Sequence, residues 1–351
     1  MRFFSWGPNS CGQLGQGTTA EECREPVEVK MKDVSMDRIV CMSGGANHSF
    51  LLSDDGSLWF AGKDDVVNGG DVVPNFEKLD QFDGLRLSKV ATMWNTSLAL
   101  TADGQCFGWG SNSFGQLGLP EKQILDIKLL TKDKVKDIAV GLRHCLILKE
   151  DGTIISAGSG KCGQLGRDDN RIGFHPVDRL KDVVNICCGM NHSLAVTKEG
   201  KLYSWGANKF GQLGLDPAVH ENSKYPVEVE LPVPASEILN SKLMSGWTHS
   251  AVLSKCGKLI NWGRNNYGQL GDSSGAVRWR PKILPGYNFN DVISGAEHNL
   301  GLVENTLWTW GWNEHGSCTF DKDNVLEPSK VNLKDIVKIG VGASQSFALT
   351  L

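Results

Sequence analysis

The sequence lacks the features that mark secreted, membrane-spanning or nucleic-acid-binding proteins. No apolar run approaches the roughly 18 residues that cross a bilayer, and no apolar segment follows a basic N-terminus. The chain has 36 Lys and Arg residues against 40 Asp and Glu residues, so its formal net charge of −4 provides no basic field for DNA or RNA. We therefore expect a soluble protein that binds neither membranes nor nucleic acid directly.

The ten cysteines follow neither a disulfide pattern nor a metal-binding pattern. No CxxC pair occurs, and the adjacent Cys187 and Cys188 fall in a predicted buried strand. Thiols scattered in this way are typical of reduced intracellular chains, in which cysteine packs as a small apolar side chain. The sequence thus predicts a cytoplasmic protein, with the nucleus as a second compartment, and no metal or other cofactor.

Motifs of common catalytic sites are missing as well. The nearest approach to a nucleophile elbow, residues 342–346, has Ser346 where the closing glycine is required. The stretch AGSGKCGQLG at 157–166 resembles a phosphate-binding loop. However, Ile155 occupies the position of its first glycine, and Cys162 that of the hydroxyl residue that holds magnesium. We therefore predict no catalytic residues.

The last four letters of that stretch, GQLG, occur five times and show that the chain is built from repeats. Each copy also contains a Trp-Gly pair, or an Ala-Gly pair in its place. The glycine of this pair recurs at Gly7, Gly62, Gly110, Gly158, Gly206, Gly263 and Gly311. Successive glycines are separated by 55, 48, 48, 48, 57 and 48 residues. Seven copies therefore fill the chain.

Each copy is predicted to form short strands joined by tight turns. Apolar runs such as HSLAVT and KLYSWG flank a Gly-containing turn, here Glu199-Gly200. Units of 48 to 57 residues, each too small to bury its own sheet, match the blades of a propeller. We expect an all-β, seven-bladed β-propeller that forms a single domain over residues 1–351. The strand at 3–7 should complete the last blade with residues 346–351.

Residues that the copies share are interpreted as structural. Glycine reaches positive φ at low cost, so GQLG is predicted to be a backbone corner. A second shared position lies after a Gly-x-x sequence, and it is occupied by His48, Thr96, His144, His192, His249, His298 and Gln345. Because the copies are distributed around a ring, and because Thr and Gln replace His in two of them, these side chains are predicted to form buried hydrogen bonds. A metal or acid–base cluster is the alternative.

Residues that differ between copies are the candidates for recognition. The two residues between the Gly and the His of each unit vary, and equivalent turns lie on one face of a propeller. That face is predicted to carry Trp94, Arg143, Met190, Trp247 and Glu297. Trp and Arg are the residue types that most often anchor protein interfaces. The alternative is that both tryptophans pack inward.

A second departure from the repeat lies at 312–316. His315 stands where three other copies have an aromatic residue, and Trp312 and Glu314 lie beside it. We predict these three residues as a polar contact point for a partner, with a degenerate blade corner as the alternative. The proline-rich segment 215–240 is predicted to be an extended exposed loop.

The motif G-x-x-H-S, D-G, W-G-x-N-x-x-G-Q-L-G resembles the repeat of the regulator of chromosome condensation family over all 351 residues. Within that family, residues 110–118, 141–144, 245–249, 295–300 and 310–316 resemble the secretion-regulating guanine nucleotide exchange factors. Residues 310–316 are also similar to the fungal killer-toxin-insensitivity propeller, called an alpha-tubulin suppressor.

The two branches imply different functions. The fungal branch implies a non-catalytic platform for a small CSL-type zinc-finger protein that supports diphthamide synthesis on elongation factor two. It also implies support of Elongator-dependent wobble-uridine modification of transfer RNA. The other branch implies nucleotide exchange on a small GTPase, with an exocyst-type secretion protein as a further partner. From the sequence we favour the platform, acting as a monomer, and keep exchange as the alternative.

Overall fold

A computed structural model describes residues 1–31, 34–168, 171–318 and 323–351. These residues form strands and turns with very little helix. The helical segments among them are the single α-helical turn α1 (Ala235–Ile238) and two 3₁₀ turns, Met36–Arg38 and Asp80–Phe82. No helix within the described ranges has the length and apolar character needed to cross a membrane.

The strands are short, and most have five to eight residues. In chain order they are β1 (Arg2–Pro8), β2 (Glu22–Val29), β3 (Ile39–Gly44), β4 (His48–Ser53), β5 (Leu58–Gly62), β6 (Val73–Lys78), β7 (Leu87–Met93), β8 (Thr96–Thr101), β9 (Cys106–Ser111), β10 (Gln123–Leu129), β11 (Val135–Val140), β12 (His144–Lys149), β13 (Ile154–Gly158), β14 (His175–Pro176), β15 (Val183–Cys188), β16 (His192–Thr197), β17 (Leu202–Ala207), β18 (Asn222–Val229), β19 (Lys242–Ser245), β20 (His249–Leu253), β21 (Leu259–Gly263), β22 (Arg278–Ile283), β23 (Asp291–Ser294), β24 (His298–Val303), β25 (Thr306–Gly311), β26 (Val325–Lys330), β27 (Ile336–Val341) and β28 (Ser346–Thr350).

Within the described ranges, the strands assemble into five four-stranded sheets and one eight-stranded sheet. The larger sheet consists of two four-stranded antiparallel halves, joined by a parallel pairing of Val341 with Ser43. The strands thus divide into seven four-stranded units. We number them unit 1 (β3–β6), unit 2 (β7–β10), unit 3 (β11–β14), unit 4 (β15–β18), unit 5 (β19–β22), unit 6 (β23–β26) and unit 7 (β27, β28, β1, β2).

The first strands of the units, from β3 to β27, lie side by side around a ring. Each contacts the first strand of the next unit, and β27 contacts β3. The fourth strands lie at the outer edges of the sheets. This arrangement fits the seven-bladed propeller that the repeat predicts.

The two ends of the chain meet in unit 7. Strand β1 pairs antiparallel with β28, from Arg2 opposite Thr350 to Trp6 opposite Ser346. The rings of Phe3 and Phe347 stack with their centroids 5.9 Å apart. The prediction that the first strand completes the last unit is therefore confirmed, and the pairing removes two free sheet edges.

Apolar side chains fill the spaces between neighbouring units. Trp109 of unit 2, for example, packs edge-on against Phe50 of unit 1, with ring centroids 5.9 Å apart. The tryptophans of the five Trp-Gly pairs are all fully buried; they are Trp6, Trp109, Trp205, Trp262 and Trp310. The hydrophobic core is thus distributed around the ring.

The GQLG corners are closed by local hydrogen bonds and also contact the following unit. In the stretch at 163–166, the Gln164 side chain accepts a hydrogen bond from the Cys162 backbone N–H at 2.9 Å, which closes the corner. The Gln164 carbonyl accepts a second bond from Trp205 Nε1 of unit 4, also at 2.9 Å. Gly163 and Gly166 both have positive φ angles, of 84° and 69°. The structural interpretation of GQLG is confirmed.

The repeated histidines also bond to the next unit, through Nε2. The pairs are His48 with Thr92 (3.0 Å), His144 with Ser193 (2.8 Å), His192 with Ser250 (3.0 Å), His249 with Asn299 (3.3 Å) and His298 with Ser346 (3.1 Å). Gln345 likewise reaches the Ala46 carbonyl. Thr96 is too short to do so and bonds within its own unit, to the Ser111 carbonyl. The predicted buried hydrogen bonds are confirmed, and Thr96 differs from the histidines only in forming its bonds within unit 2.

The segment 215–240 differs from the expected loop, because residues 222–229 form the outer strand β18. Pro226 is accommodated by an irregularity in the ladder. Val227 pairs with Ser204 and Ser223 with Gly206, so the residues between them, Pro226 included, lie outside the regular pairing. An edge strand with such a bulge tolerates proline.

Candidate functional site

The variable turns and the GQLG corners of the units lie next to each other at one end of the sheets. In unit 3 the backbone N–H of Ser159, in the corner, donates to the carbonyl of Arg143, in the turn, at 2.9 Å. In unit 5 the corner residue Arg264 donates to the Thr248 carbonyl at 3.0 Å. We call the surface formed by the Gly-x-x-His turns and these corners the turn face.

Backbone hydrogen bonds connect the turns of neighbouring units. Met190 donates to the Trp247 carbonyl at 3.1 Å, Trp247 to Ala296 at 2.7 Å and Ala296 to Ala343 at 2.8 Å. On the other side of the ring, Ala46 donates to the Trp94 carbonyl at 3.0 Å. The turns are therefore held in place by their backbones, which leaves their side chains free to differ.

Two tryptophans meet on the turn face from units that are not neighbours. Trp94 belongs to unit 2 and Trp247 to unit 5, yet their ring centroids lie 5.8 Å apart. Trp94 is 46% exposed, so it does not pack inward. Its φ of 55° is unusual for a bulky residue, and such strain, on the order of 1–3 kcal/mol, is concentrated at functional sites.

The tryptophan pair borders two depressions. The larger, of about 470 Å³, is lined by six of the candidate residues: Trp94, Trp247, Glu297, Trp312, Glu314 and His315. The smaller, of about 240 Å³, places Arg143 beside the same pair. Met190 lines neither depression and is connected to the site through its backbone bond to Trp247. The residues chosen from the sequence are thus gathered on one face, and their role in partner binding stays a prediction.

Glu297 lies beneath this face. Its carboxylate accepts hydrogen bonds from Thr248 Oγ1 at 2.9 Å and from Gln269 Nε2 at 2.7 Å. Burial raises the pKa of Glu297, while these two hydrogen bonds act in the opposite direction. The side chain therefore supports the larger depression from below.

The corner at 312–316 keeps the geometry of the other corners. The Cys318 backbone N–H donates to Asn313 Oδ1 at 2.9 Å, as Leu213 does to Asn208 at 3.0 Å in unit 4. Its surface differs, because the Trp312 and His315 rings meet edge to face at 5.3 Å. The departure from the repeat thus changes the side chains and preserves the backbone.

Several residues of this face were not selected from the sequence. The Arg143 guanidinium lies 4.8 Å from the centroid of the Phe114 ring. The Arg264 guanidinium lies 4.9 Å from the ring of Phe210 and 4.6 Å from that of Tyr267. The sequence feature that could have identified these aromatic residues is their position directly before GQLG in three copies. The contacts of Phe114 and Phe210 with these cations join neighbouring units and are not visible along the chain.

The face shows no arrangement for metal binding: within the ranges that the structure describes, no three His, Cys, Asp or Glu side chains are grouped to hold an ion. Burial lowers the pKa of His144 and His192 to about 3 and of His249 and His298 to about 4. These imidazoles are therefore neutral at physiological pH.

Comparison with known proteins identifies relatives along the whole chain. Secretion-regulating guanine nucleotide exchange factors of Bos taurus and Mus musculus are 33% and 31% identical to it, across 99% of this chain and 82% and 83% of their own. The ultraviolet-B receptor UVR8 of Arabidopsis thaliana is 29% identical across 90% of this chain and 62% of its own.

Solved structures share the fold. Prp20p of Saccharomyces cerevisiae, studied for its binding to Gsp1p and histones, superimposes with a TM-score of 0.86 at 25% identity, over 99% of this chain and 90% of its own. Human WBSCR16 gives a TM-score of 0.83 at 22% identity over both full chains, which shows the likeness of fold alone. The sequence model of the RCC1-like domain family matches residues 2–348, and the chain therefore belongs to this family.

Proposed function

We propose that this protein is a guanine nucleotide exchange factor that binds a small GTPase on its turn face. The observation that carries the proposal is the similarity to two proteins named as exchange factors, across 99% of this chain. For this reason exchange replaces the zinc-finger platform, which the sequence favoured, as the leading function. The platform stays a prediction.

Exchange of this kind needs binding energy and no covalent chemistry. A protein that binds the nucleotide-free GTPase more tightly than the nucleotide-bound form weakens nucleotide binding by the same factor. The surface that does this must be rigid, because a flexible surface would lose binding energy on becoming ordered. The backbone bonds between the turns of the turn face supply this rigidity.

The tryptophan pair is the proposed anchor of the GTPase. Trp94 and Trp247 combine a large apolar surface with a position between the two depressions. Exposed tryptophans near the centre of an interface often contribute 2 kcal/mol or more to binding, in the range of about 2–4 kcal/mol. Binding energy of this size would stabilise the GTPase conformation that accommodates the two tryptophan side chains.

The test is release of mant-GDP from a panel of small GTPases at substoichiometric amounts of this protein. We expect accelerated release from at least one member. In Trp94→Asn the rate constant should fall about 30-fold, which corresponds to about 2 kcal/mol. Asn tolerates the positive φ at this position, so the variant removes the indole without straining the backbone. Leu125→Asn is the control, because Leu125 is 61% exposed on the outer strand β10 and lines neither depression beside the tryptophan pair.

Two results would contradict the proposal. One is the absence of accelerated release from every GTPase, together with retention of the small zinc-finger protein in a pull-down; this would restore the platform. The other is equal exchange rates for Trp94→Asn and Leu125→Asn, which would remove the site from the turn face.

A further inference from the structure

We propose that the turn face recognises an acidic segment of its protein partner through four cations, Arg143, Lys161, Lys209 and Arg264, which we call the basic arc. The inference rests on the proposed function in that it takes the turn face as the surface that binds the GTPase. It adds the chemistry by which the partner is recognised.

The basic arc follows three consecutive units. Arg143 lies in the turn of unit 3, and Lys161 in the corner of the same unit. Lys209 occupies the position equivalent to Lys161 in the corner of unit 4, two residues before the glycine of GQLG. Arg264 lies in the corner of unit 5. The arc therefore runs along one half of the turn face.

Aromatic rings hold three of these cations in place. Arg143 stacks on Phe114, which belongs to the preceding unit, at 4.8 Å. Phe210 lies between Lys209, at 5.5 Å, and Arg264 of the following unit, at 4.9 Å. A guanidinium stacked on a ring has already lost part of its rotational freedom, so less entropy is lost when it binds a carboxylate.

Most of the arc is not neutralised by the protein itself. Elsewhere, lysines that bridge neighbouring units are paired, as Lys242 is with Asp291 at 2.7 Å. Among the residues that the structure describes, Arg143, Lys161 and Lys209 form no ion pair. Arg264 has the buried Glu297 carboxylate at 3.8 Å. Three free cations and one shared cation thus remain to bind carboxylates of a partner.

The distribution of charge favours an acidic protein segment over a nucleic acid. The opposite half of the turn face carries exposed carboxylates, Glu314 in unit 6 and Asp65 in unit 1. These would repel a phosphate backbone that extended across the face, and the net charge of −4 acts in the same direction. Rings interspersed among the cations instead match a peptide in which acidic and apolar side chains alternate.

The test measures binding of a defined peptide by fluorescence anisotropy. The probe is a fluorescein-labelled peptide of four Glu-Glu-Tyr repeats, and the control peptide has Gln in place of Glu. The protein of residues 1–351 should bind the acidic peptide and not the Gln peptide, and binding should weaken between about 50 and 200 mM salt.

Charge-reversal variants locate the binding. The double variant Arg143→Glu/Lys209→Glu should lower the affinity about tenfold or more, because the carboxylates then face like charges. Arg143→Gln/Lys209→Gln should show a smaller loss of affinity. This variant keeps the test valid if the charge-reversal variant does not fold. Lys255→Glu should bind normally, because Lys255 is an exposed residue between β20 and β21, at the far end of the sheets from the turn face.

The outcomes separate this inference from the proposed function. Unchanged peptide affinity in both double variants, or equal binding of the Gln peptide, would overturn the inference. So would tighter binding of a single-stranded oligothymidylate of equal charge, since this would assign the arc to phosphates. Peptide binding without exchange on any GTPase would overturn the proposed function alone. Exchange that persists unchanged in both double variants would show that the GTPase does not use the arc.

Discussion

Replacing Phe347 by alanine tests how the two ends of the chain close the ring. Phe347 is fully buried in β28, stacks on Phe3 of β1, and packs with Met42 and Leu51 of unit 1. Truncating a buried phenylalanine to alanine costs about 3–5 kcal/mol. Total stabilities of about 5–15 kcal/mol are typical, so this one change should remove a large share of the free energy of unfolding.

Urea denaturation of the single and double variants provides the assay. Phe3→Ala should be destabilised to a similar extent, and the double variant should lose less than the sum of the two. The expected coupling is about 0.5–1.5 kcal/mol, the usual contribution of an aromatic pair. Phe289 is buried in a different cluster, between units 5 and 6, so Phe289→Ala combined with Phe347→Ala should be additive.

The closure would be refuted by an unfolding midpoint that Phe347→Ala leaves unchanged, or by strict additivity of the Phe3 and Phe347 variants. Deletion of residues 346–351 extends the test, because it removes the whole of β28 from between β1 and β27. If the shortened chain melted like the protein of residues 1–351, the last strand would not stabilise the ring.

Two further predictions concern the bonds between units. Trp205→Phe should cost about 1 kcal/mol in urea denaturation through loss of the bond to the Gln164 carbonyl. Trp109→Phe should cost less, because the buried Trp109 Nε1 has no hydrogen-bond partner among the residues that the structure describes. Equal losses would contradict this role of the corner. Burial lowers the pKa of His144 and His192 to about 3, against 6.5 for an ordinary imidazole. Both are neutral when folded, so the stability present above pH 6.5 is lost as the pH falls toward 3. Between about pH 7 and pH 5, each of these two histidines should account for a loss of about 2 kcal/mol in the free energy of unfolding. His192→Gln should reduce the slope of stability against pH, and a flat profile of the unmodified protein would refute the argument.

Much of the candidate site could be located from the sequence because the repeat has a strict register. Trp94, Arg143 and Trp247 belong to the variable two-residue turns of different copies, and equivalent turns in a ring share a face. The depth of each side chain within that face could not be predicted. Glu297 shares this register with the others, and it is buried because Thr248 and Gln269 of unit 5 provide hydrogen bonds for its carboxylate.

The contacts across the ring could likewise not be predicted from the sequence. Trp94 and Trp247 are more than 150 residues apart and belong to units that are not neighbours. Their contact depends on ring diameter and on the length of the indole side chain together. The stacking of Arg264 on Phe210 depends in the same way on the spacing between units 4 and 5.

The sequence by itself determined the strands, the corners and the number of copies, because these follow from local preferences that each unit repeats: alternating apolar residues, tight turns and glycines at positive φ. The tertiary structure alone decided which side chains of the turn face are exposed and which cations lie on which rings. These features result from contacts between units, and such contacts exist only once the sheets are arranged around a common axis.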